Sequence, residues 1–324
     1  MGFPIIDICN IDAPDAQLSI AKEITDASKT WGFLLLKNHP IPLQDIQNMF
    51  DIAHQFFTLP PSEKDFWPIN NNYVGYNAPL SDRKQDDKAS MWLSGKPGHL
   101  QSSLTSLPPF WHKYLEEVEK FKHDCHGLVI KLLVCFALAM DLPDRYYFAK
   151  AHAEDAGNGN QFRLLWYPPR DDKPFKTTTR MSAHSDSGSV TLLFQTVSGL
   201  EVESPNGNWV PAPQIDGHIL VNLGDALAFW SGGQLKATRH RVTFEGVPHN
   251  RERISMAYFG AASPDTVLEP LGTFCDTKAL KNYNANGVLI QPGITVGEYG
   301  RRVMENIYGN HVEHSESTAA VKVA

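Results

Sequence analysis

A succession of short apolar segments between residues 162 and 259 is the feature that most restricts how this chain can fold. Turn sequences such as Pro205-Asn206-Gly207-Asn208 and Asp216-Gly217 separate the segments. Many short strands at near-regular spacing are typical of a barrel or of two packed sheets. The predicted strands are 162–167, 189–195, 200–203, 219–223, 226–230, 240–243 and 254–259. The sequence therefore predicts a mainly β core.

Helical periodicity flanks this core on both sides. Apolar residues recur every three or four positions in four segments, which we predict to be helices: 16–30, 43–57, 108–141 and 296–307. Strands are predicted over 3–8 and 31–37, and 70–109 is predicted to be a long loop with short strands. The expected fold class is thus α+β with a mainly β core, a double-stranded β-helix (jelly roll, cupin-like) with supporting helices.

The same pattern divides the chain into five parts. We expect an N-terminal region of helices and strands over 1–120, helical support over 121–156 and the barrel core over 157–262. A C-terminal extension with a helix covers 263–310, and the polar tail 311–324 is predicted to be mobile. These parts are expected to form one barrel with its support.

Composition excludes several classes of protein. The 324 residues are 42% hydrophobic and 20% charged, which is ordinary for a globular protein. A net charge of -7 without a basic cluster argues against nucleic acid as a partner. The most apolar stretch, 128–140, is shorter than the roughly 20 residues that span a bilayer, and no signal peptide is evident, so no membrane partner is expected. Four scattered cysteines predict a reducing, cytoplasmic location.

Two histidines and an aspartate form the first candidate site. His184 and Asp186 are two residues apart, a spacing that on a strand directs both side chains to one face. His240 leads into a later predicted strand and offers a third ligand. Two imidazoles and one carboxylate make the facial triad of non-haem Fe(II) oxygenases, which leaves coordination positions open. An isolated H-x-D sequence is common by chance, so a second motif is needed to support this interpretation.

Arg253 and Ser255 supply that second motif. They flank Ile254 at the start of the last core strand, so they share one face of it. A guanidinium and a hydroxyl that project into a barrel form a receptor for a carboxylate. A surface arginine beside an incidental serine is the alternative for so short a pattern.

The order of these motifs resembles the isopenicillin N synthase-like family of Fe(II)- and 2-oxoglutarate-dependent oxygenases. The resemblance covers nearly the whole chain. In the N-terminal region it rests on Trp31-Gly32-Phe33-Leu34, Asn38-His39, Ile41-Pro42, Phe56-Phe57-Thr58-Leu59-Pro60, Ser62-Glu63-Lys64 and Gly75-Tyr76. In the core it rests on Trp166-Tyr167-Pro168-Pro169, His184-Ser185-Asp186-Ser187-Gly188, Val221-Asn222-Leu223-Gly224-Asp225 and His240-Arg241-Val242.

The resemblance implies cofactors and residue roles. His184, Asp186 and His240 match the iron ligands, and Arg253 and Ser255 match the pair that holds the distal carboxylate of the cosubstrate 2-oxoglutarate. Tyr167 matches a tyrosine that orients the cosubstrate. Leu165 departs from the family, where many plant members have asparagine. The implied activity is an oxidoreductase, a dioxygenase that consumes dioxygen to hydroxylate, desaturate or rearrange a small organic molecule, such as an aromatic or polyketide-type secondary metabolite.

Five further residues are candidates for contact with the substrate. Arg180 is expected at the mouth of the barrel on the side of the ligands, Tyr73 and Tyr76 in a loop over the pocket, and Phe194 and Phe259 on core strands. For the four aromatic residues, packing within the protein is the alternative.

Other polar residues receive structural roles, and two other functions stay open. His218 and His249 are expected to be surface or structural histidines. Asn222 and Asp225 are expected to shape a turn at the barrel edge. The alternative functions are an iron oxidase of the same fold that does not consume 2-oxoglutarate, and a non-catalytic barrel that binds a metabolite.

Overall fold

A computed structural model describes residues 2–78, 88–95, 98–154, 159–169, 179–245, 250–272 and 283–308. The predicted tail 311–324 and His249 lie outside these residues. Within them, no helix combines the length and the apolar character that a membrane span requires.

Fourteen strands and six α-helices make up the described fold. The strands are β1 (Ile5–Asp7), β2 (Phe33–Lys37), β3 (Val74–Asn77), β4 (Ala89–Leu93), β5 (Gln161–Tyr167), β6 (Thr179–His184), β7 (Val190–Gln195), β8 (Leu200–Glu203), β9 (Trp209–Pro211), β10 (Ile219–Leu223), β11 (His240–Thr243), β12 (Arg253–Gly260), β13 (Tyr283–Ala285) and β14 (Val288–Ile290). The helices are α1 (Gln17–Thr30), α2 (Leu43–Phe57), α3 (Leu115–Ala139), α4 (Tyr147–Lys150), α5 (Asp225–Trp230) and α6 (Val296–Tyr308). Short 3₁₀ turns cover Pro61–Glu63, Leu100–Ser106 and Pro109–Tyr114.

The strands form two main sheets that enclose the barrel interior. The larger sheet has eight strands in the order β1-β2-β10-β7-β12-β5-β4-β3, and the smaller has four in the order β6-β11-β8-β9. All of their pairings are antiparallel except that of β1 with β2. This is the predicted jelly-roll core on an α+β framework. The β13–β14 hairpin is separate from both sheets.

Alternation along β12 separates the two apolar clusters of the protein. Ile254, Met256 and Tyr258 belong to the larger cluster, which fills the space between the eight-stranded sheet and the helices. Arg253 and Ser255 project from the opposite face, into the space between the sheets, where the second cluster lies. The larger sheet is therefore covered by apolar residues on one face and carries polar chemistry on the other.

The predicted elements are largely confirmed, with one error of type. Residues 226–230 were predicted to be a strand, but Asp225–Trp230 is helix α5, and all six side chains are buried. A short apolar run that is buried all round carries no period, so periodicity cannot distinguish strand from helix. Alanine and leucine favour the helix. Strands β6 and β9 and the β13–β14 hairpin have no counterpart among the predicted strands.

Candidate active site

Three side chains converge at one end of the barrel. His184 is the last residue of β6 and His240 the first of β11, and the two are cross-strand partners. Asp186 follows β6 by two residues, and its Oδ1 lies 3.6 Å from His240 Nε2 and 3.9 Å from His184 Nε2. One ligand atom from each residue lies within 4.8 Å of the other two. The structure thus brings together the three residues that the sequence proposed as a metal site.

Backbone carbonyls orient both imidazole rings. His184 Nδ1 lies 2.8 Å from the Ser182 carbonyl oxygen, and His240 Nδ1 lies 3.2 Å from that of Thr238. A carbonyl can only accept, so each Nδ1 carries the proton and each Nε2 presents its lone pair to the common point. Burial lowers the pKa of His184 to about 4. The neutral ring that a metal requires is therefore the stable form.

Two neutral donors fix the Asp186 carboxylate. Thr191 Oγ1 and Asn222 Nδ2 each donate to Asp186 Oδ2 over 2.6 Å, which leaves Oδ1 directed at the histidines. Burial alone would raise the pKa of Asp186, but the two histidines and these hydrogen bonds lower it below its usual value. Asn222, expected only to shape a turn, thus also holds a ligand in place. An ionised carboxylate and two neutral imidazoles on one side of a point fit Fe(II) and leave positions for other ligands.

The loop between Asp186 and β7 is packed against the turn before α5. A Cβ atom on Gly224 would lie 2.2 Å from the carbonyl oxygen of Gly188. The backbone N–H of Asp225 donates to the Asp186 carbonyl oxygen over 2.7 Å. Only glycine at residue 224 permits this approach, so the Leu223-Gly224-Asp225 sequence fixes the backbone of the metal loop.

Arg253, Ser255 and Tyr167 form a second group on the same inner face. The Arg253 guanidinium donates from Nη1 to Ser255 Oγ over 3.1 Å and from Nη2 to Gln195 Oε1 over 3.0 Å. Its centre lies 5.0 Å from the Tyr167 ring centroid, and Tyr167 is its cross-strand partner. Gln195 was missed because its role depends on its register with Ser255, which only the folded sheet reveals.

The Arg253 guanidinium is buried without an anionic partner among the described residues. Arg253 is 1% exposed, and within the described parts of the chain no carboxylate forms an ion pair with it. Burial lowers the pKa of Arg253, and the nearby positive charge of Arg180 lowers it further. A buried charge without a counter-ion is costly, so a carboxylate ligand fits this position.

Arg180 lies beside Tyr167, in the group of residues around Arg253, which corrects its expected position. Its side chain is fully buried, and Nη2 donates to the Pro168 carbonyl oxygen over 2.7 Å. Its guanidinium centre lies 5.4 Å from the Tyr167 ring and 5.3 Å from that of Phe244. Arg180 therefore accompanies the Arg253 group and is not at an open mouth beside the metal ligands.

Two of the four aromatic candidates face the site. Phe259 is the cross-strand partner of Thr191, which holds Asp186. Tyr73 stacks on Trp92 with the ring centroids 5.9 Å apart. Arg163, which the sequence did not suggest, lies 3.6 Å from the centroid of Trp92 and 5.0 Å from that of Phe259. These four residues form an aromatic and cationic wall, which begins one side chain away from the metal ligands.

The assignments of Phe194 and Tyr76 to the substrate group are corrected. Phe194 projects from the helix side of β7, opposite to Thr191, and packs 5.2 Å from the Phe121 ring of α3. Tyr76 is 5% exposed and packs edge-on against Phe56 of α2 at 5.5 Å. Both residues belong to the face of the larger sheet that packs against the helices, a side that sequence reasoning did not assign to them.

Comparison with known proteins gives matches along most of the chain. Residues 158–261 match the family model described as the 2OG-Fe(II) oxygenase superfamily, and residues 3–103 match the one described as non-haem dioxygenase in morphine synthesis N-terminal. A UPF0676 protein of Schizosaccharomyces pombe is 34% identical over 84% of this chain and 85% of its own length. The proline hydroxylase buaE of Petromyces alliaceus is 32% identical over 80% of this chain and 86% of its own.

Solved structures give the same result for the fold. A full-length Neurospora crassa protein in complex with alpha-KG and thymine matches with a TM-score of 0.78 and 28% identity, over 94% of this chain and 96% of that one. The complex of the same Neurospora crassa protein with alpha-KG and 5-formyluracil matches with a TM-score of 0.77 and 30% identity, over 94% and 95% of the two chains.

Proposed function

The chain belongs to the 2OG-Fe(II) oxygenase superfamily, and on that premise we propose which residues hold its cofactors and what it oxidises. The enzyme is a non-haem dioxygenase that uses Fe(II), 2-oxoglutarate and dioxygen and acts on a small molecule. Its residue roles and its substrate are our proposals.

We assign the iron to His184, Asp186 and His240. The observation that carries this assignment is the convergence of their three ligand atoms within 4.8 Å of one another. Arg253, Ser255 and Tyr167 then take the distal carboxylate of 2-oxoglutarate, with Gln195 holding Arg253 in place. When bound, Fe(II) supplies a coordination site where dioxygen oxidises 2-oxoglutarate to succinate and carbon dioxide and the substrate C–H bond is attacked.

The protein holds the ligand groups in position and buries Asp186, His240 and Arg253 away from water. Carbonyl contacts hold the imidazole rings, and Thr191 and Asn222 hold the carboxylate. Arg253 lies on β12, whose neighbour β7 carries Thr191. A bound cosubstrate between Asp186 and Arg253 would be fixed at both ends, and its reactive end would lie beside the wall formed by Tyr73, Trp92, Arg163 and Phe259.

We propose that the substrate is a small planar molecule with a hydrogen-bond acceptor or an anionic group. Arg163 on β5 and Thr191 on β7 are separated by β12, whose Phe259 ring lies 5.0 Å from the Arg163 guanidinium, so aromatic and cationic groups line the same inner face. Aromatic faces bind planar rings, and a guanidinium binds carbonyl or carboxylate oxygens. The complexes of the Neurospora crassa protein with thymine and 5-formyluracil are in keeping with such a substrate.

Anaerobic addition of Fe(II) and 2-oxoglutarate tests the residue roles. We expect a charge-transfer absorption band that disappears in His184→Ala and that needs a much higher 2-oxoglutarate concentration in Arg253→Leu. Succinate formed per substrate oxidised separates this function from an oxidase of the same fold, which would form none. No band in the wild type and no effect of His184→Ala would favour a non-catalytic barrel and refute the assignment.

A screen of planar acceptors tests the substrate class. Binding next to the metal perturbs the absorption band, so uracil-like, aromatic carboxylate and aliphatic candidates can be ranked before oxygen is admitted and the product identified. Arg163→Met should raise the KM for the best candidate by at least about tenfold, because a charged hydrogen bond is worth about 1.5–3 kcal/mol. Arg241→Met is the matched control, since Arg241 stacks on Trp209 at 4.3 Å and pairs with Glu201 away from the site.

Location, pathway and the division into parts are also proposals. The described cysteines Cys9, Cys125 and Cys135 are free thiols, which supports a reducing, cytoplasmic location. A role in secondary metabolism is supported by relatives with names such as proline hydroxylase buaE and feruloyl CoA ortho-hydroxylase. The barrel core 157–262 contains every proposed ligand of the iron and of 2-oxoglutarate, with helical support and a C-terminal extension around it. Fractionation of the source cells tests the location, and metabolite profiling after deletion of the gene tests the role in secondary metabolism.

A further inference from the structure

Ser185, the residue between two of the proposed iron ligands, is held from outside the barrel. Its backbone N–H donates to Asn286 Oδ1 over 3.2 Å, and its carbonyl oxygen accepts from Asn286 Nδ2 over 2.9 Å. One side-chain amide therefore satisfies both backbone groups of the residue, as a neighbouring strand would. His184 and Asp186 flank this contact directly.

Asn286 has the backbone geometry of a tight turn. Its φ is +53°, and that of Gly287 is +77°, as in the two-residue turns that join antiparallel strands. The turn connects β13 to β14, and its Asn-Gly sequence is the one such turns prefer. Asn306 of α6 donates to the Asn286 carbonyl oxygen over 2.7 Å. The turn is thus fixed on both sides, and the side-chain amide of Asn286 is directed at Ser185.

A buried carboxylate connects the same elements a second time. Asp225 is 2% exposed, and its Oδ2 accepts from Ser185 Oγ, Asn286 Nδ2 and Tyr299 Oη, each over 3.0 Å. Tyr299 belongs to α6. The hairpin, helix α6 and the start of α5 therefore meet at Ser185, between His184 and Asp186.

A gap separates part of the hairpin from this segment. A cavity of about 490 Å³ lies between them, and its lining includes Ala183, Ser185, Asp225, Arg239, Tyr283 and Asn286. Across an open and partly polar gap, the amide and carboxylate hydrogen bonds provide the direct contacts. Their loss would release Ser185, while the backbone hydrogen bond from Asp225 to Asp186 stays in place.

We propose that Asn286 is a positioning residue for the iron site, so that residues 283–308 set the geometry of the His184-Ser185-Asp186 segment. This inference rests on the proposed function, because it takes His184 and Asp186 as metal ligands. Asn286 acts through the Ser185 backbone and touches neither metal nor substrate. Residues that orient a ligand typically change metal affinity by 10- to 100-fold.

Titration of the full-length protein with Mn(II), followed by electron paramagnetic resonance, tests the proposal without turnover. Asn286→Gly removes the amide but keeps the turn, since glycine adopts a positive φ freely. We expect it to weaken Mn(II) binding by about 10-fold or more and to shift the Fe(II) and 2-oxoglutarate absorption band, while the metal-free thermal midpoint stays close to that of the control. The control is Asn284→Gly on the same hairpin: Asn284 also lines the cavity, but it is exposed and its side chain forms no hydrogen bond within the described residues.

Each outcome decides the question. Wild-type Mn(II) affinity in Asn286→Gly would overturn the proposal, as would an equal loss of affinity in Asn284→Gly. Should Asn286→Gly not fold, Asn286→Asp decides in the same assay, because it tolerates the turn but replaces the donor to Asp225 with a second acceptor. If the wild type binds no Mn(II), or if His184→Ala binds it equally well, the proposed function itself fails. If only Asn286→Gly has no effect, the function stands and this inference alone is wrong.

Discussion

Thr191→Val is the sharpest test of how the metal site is held. Valine has nearly the shape of threonine, so the change removes one hydrogen bond to Asp186 Oδ2 and little packing. A hydrogen bond to a buried charged group contributes about 1.5–3 kcal/mol. Without it the carboxylate of Asp186 is harder to ionise and freer to rotate. Part of the free energy of metal binding is then used to ionise the carboxylate and to fix its orientation. Since about 1.4 kcal/mol is a factor of ten, affinity should fall roughly 10- to 100-fold.

The assay is a Mn(II) titration near pH 7 on the metal-free protein, with the thermal midpoint measured in parallel. Thr25→Val is the matched control: Thr25 is also buried, on α1, and its Oγ1 has no hydrogen-bond partner in the described part of the chain, so its loss should not affect metal affinity. The reasoning is refuted if Thr191→Val binds Mn(II) within about threefold of the wild type while Thr25→Val does the same. In that case Asn222 alone would be sufficient to orient the carboxylate.

Three further predictions concern packing, pH and the cosubstrate. Gly224→Ala should abolish metal binding and lower the soluble yield, because its Cβ would lie 2.2 Å from a backbone oxygen, whereas Gly127→Ala on α3 meets nothing within 4 Å and should be neutral in the same assays. Burial lowers the pKa of His152 to about 4, so only the unfolded chain gains this proton as the pH falls from about 6.5. The stability contributed by the neutral ring is complete above that pH and declines by up to about 3 kcal/mol towards pH 4, so urea midpoints of His152→Gln should depend less on pH than those of the wild type. Gln195→Leu should raise the KM for 2-oxoglutarate by releasing Arg253, with Mn(II) affinity unchanged in the same preparation.

The residues that could be read from the sequence are those whose chemistry is unusual at their spacing. His184, Asp186 and His240 were predicted because an H-x-D sequence is followed by a distant histidine and then by Arg253 and Ser255, an order far more specific than any one of its parts. Arg253 and Ser255 were supported by their two-residue spacing on a strand. These predictions needed residue type, spacing and the order of motifs along the chain.

The residues that were missed depend on contacts between distant elements. Gln195 holds Arg253 because β7 and β12 pair in one register, and Asn286 reaches Ser185 across 101 positions of sequence. Arg163 was missed because its partners Trp92 and Phe259 come from two other strands. Periodicity identifies a strand, but it does not give the neighbour of that strand or the pairing between them.

Strand β12 has a practical consequence for changing what this enzyme accepts. Its helix-facing residues determine the packing of the scaffold, while Ala257 and Phe259 border the interior beside Leu193 and Thr191. Successive residues of β12 face either the helices or the interior. Substitutions at Ala257 and Phe259 would therefore change the substrate space with little loss of stability. A library of variants aimed at substrate range therefore needs to vary only the residues of β12 that face the interior.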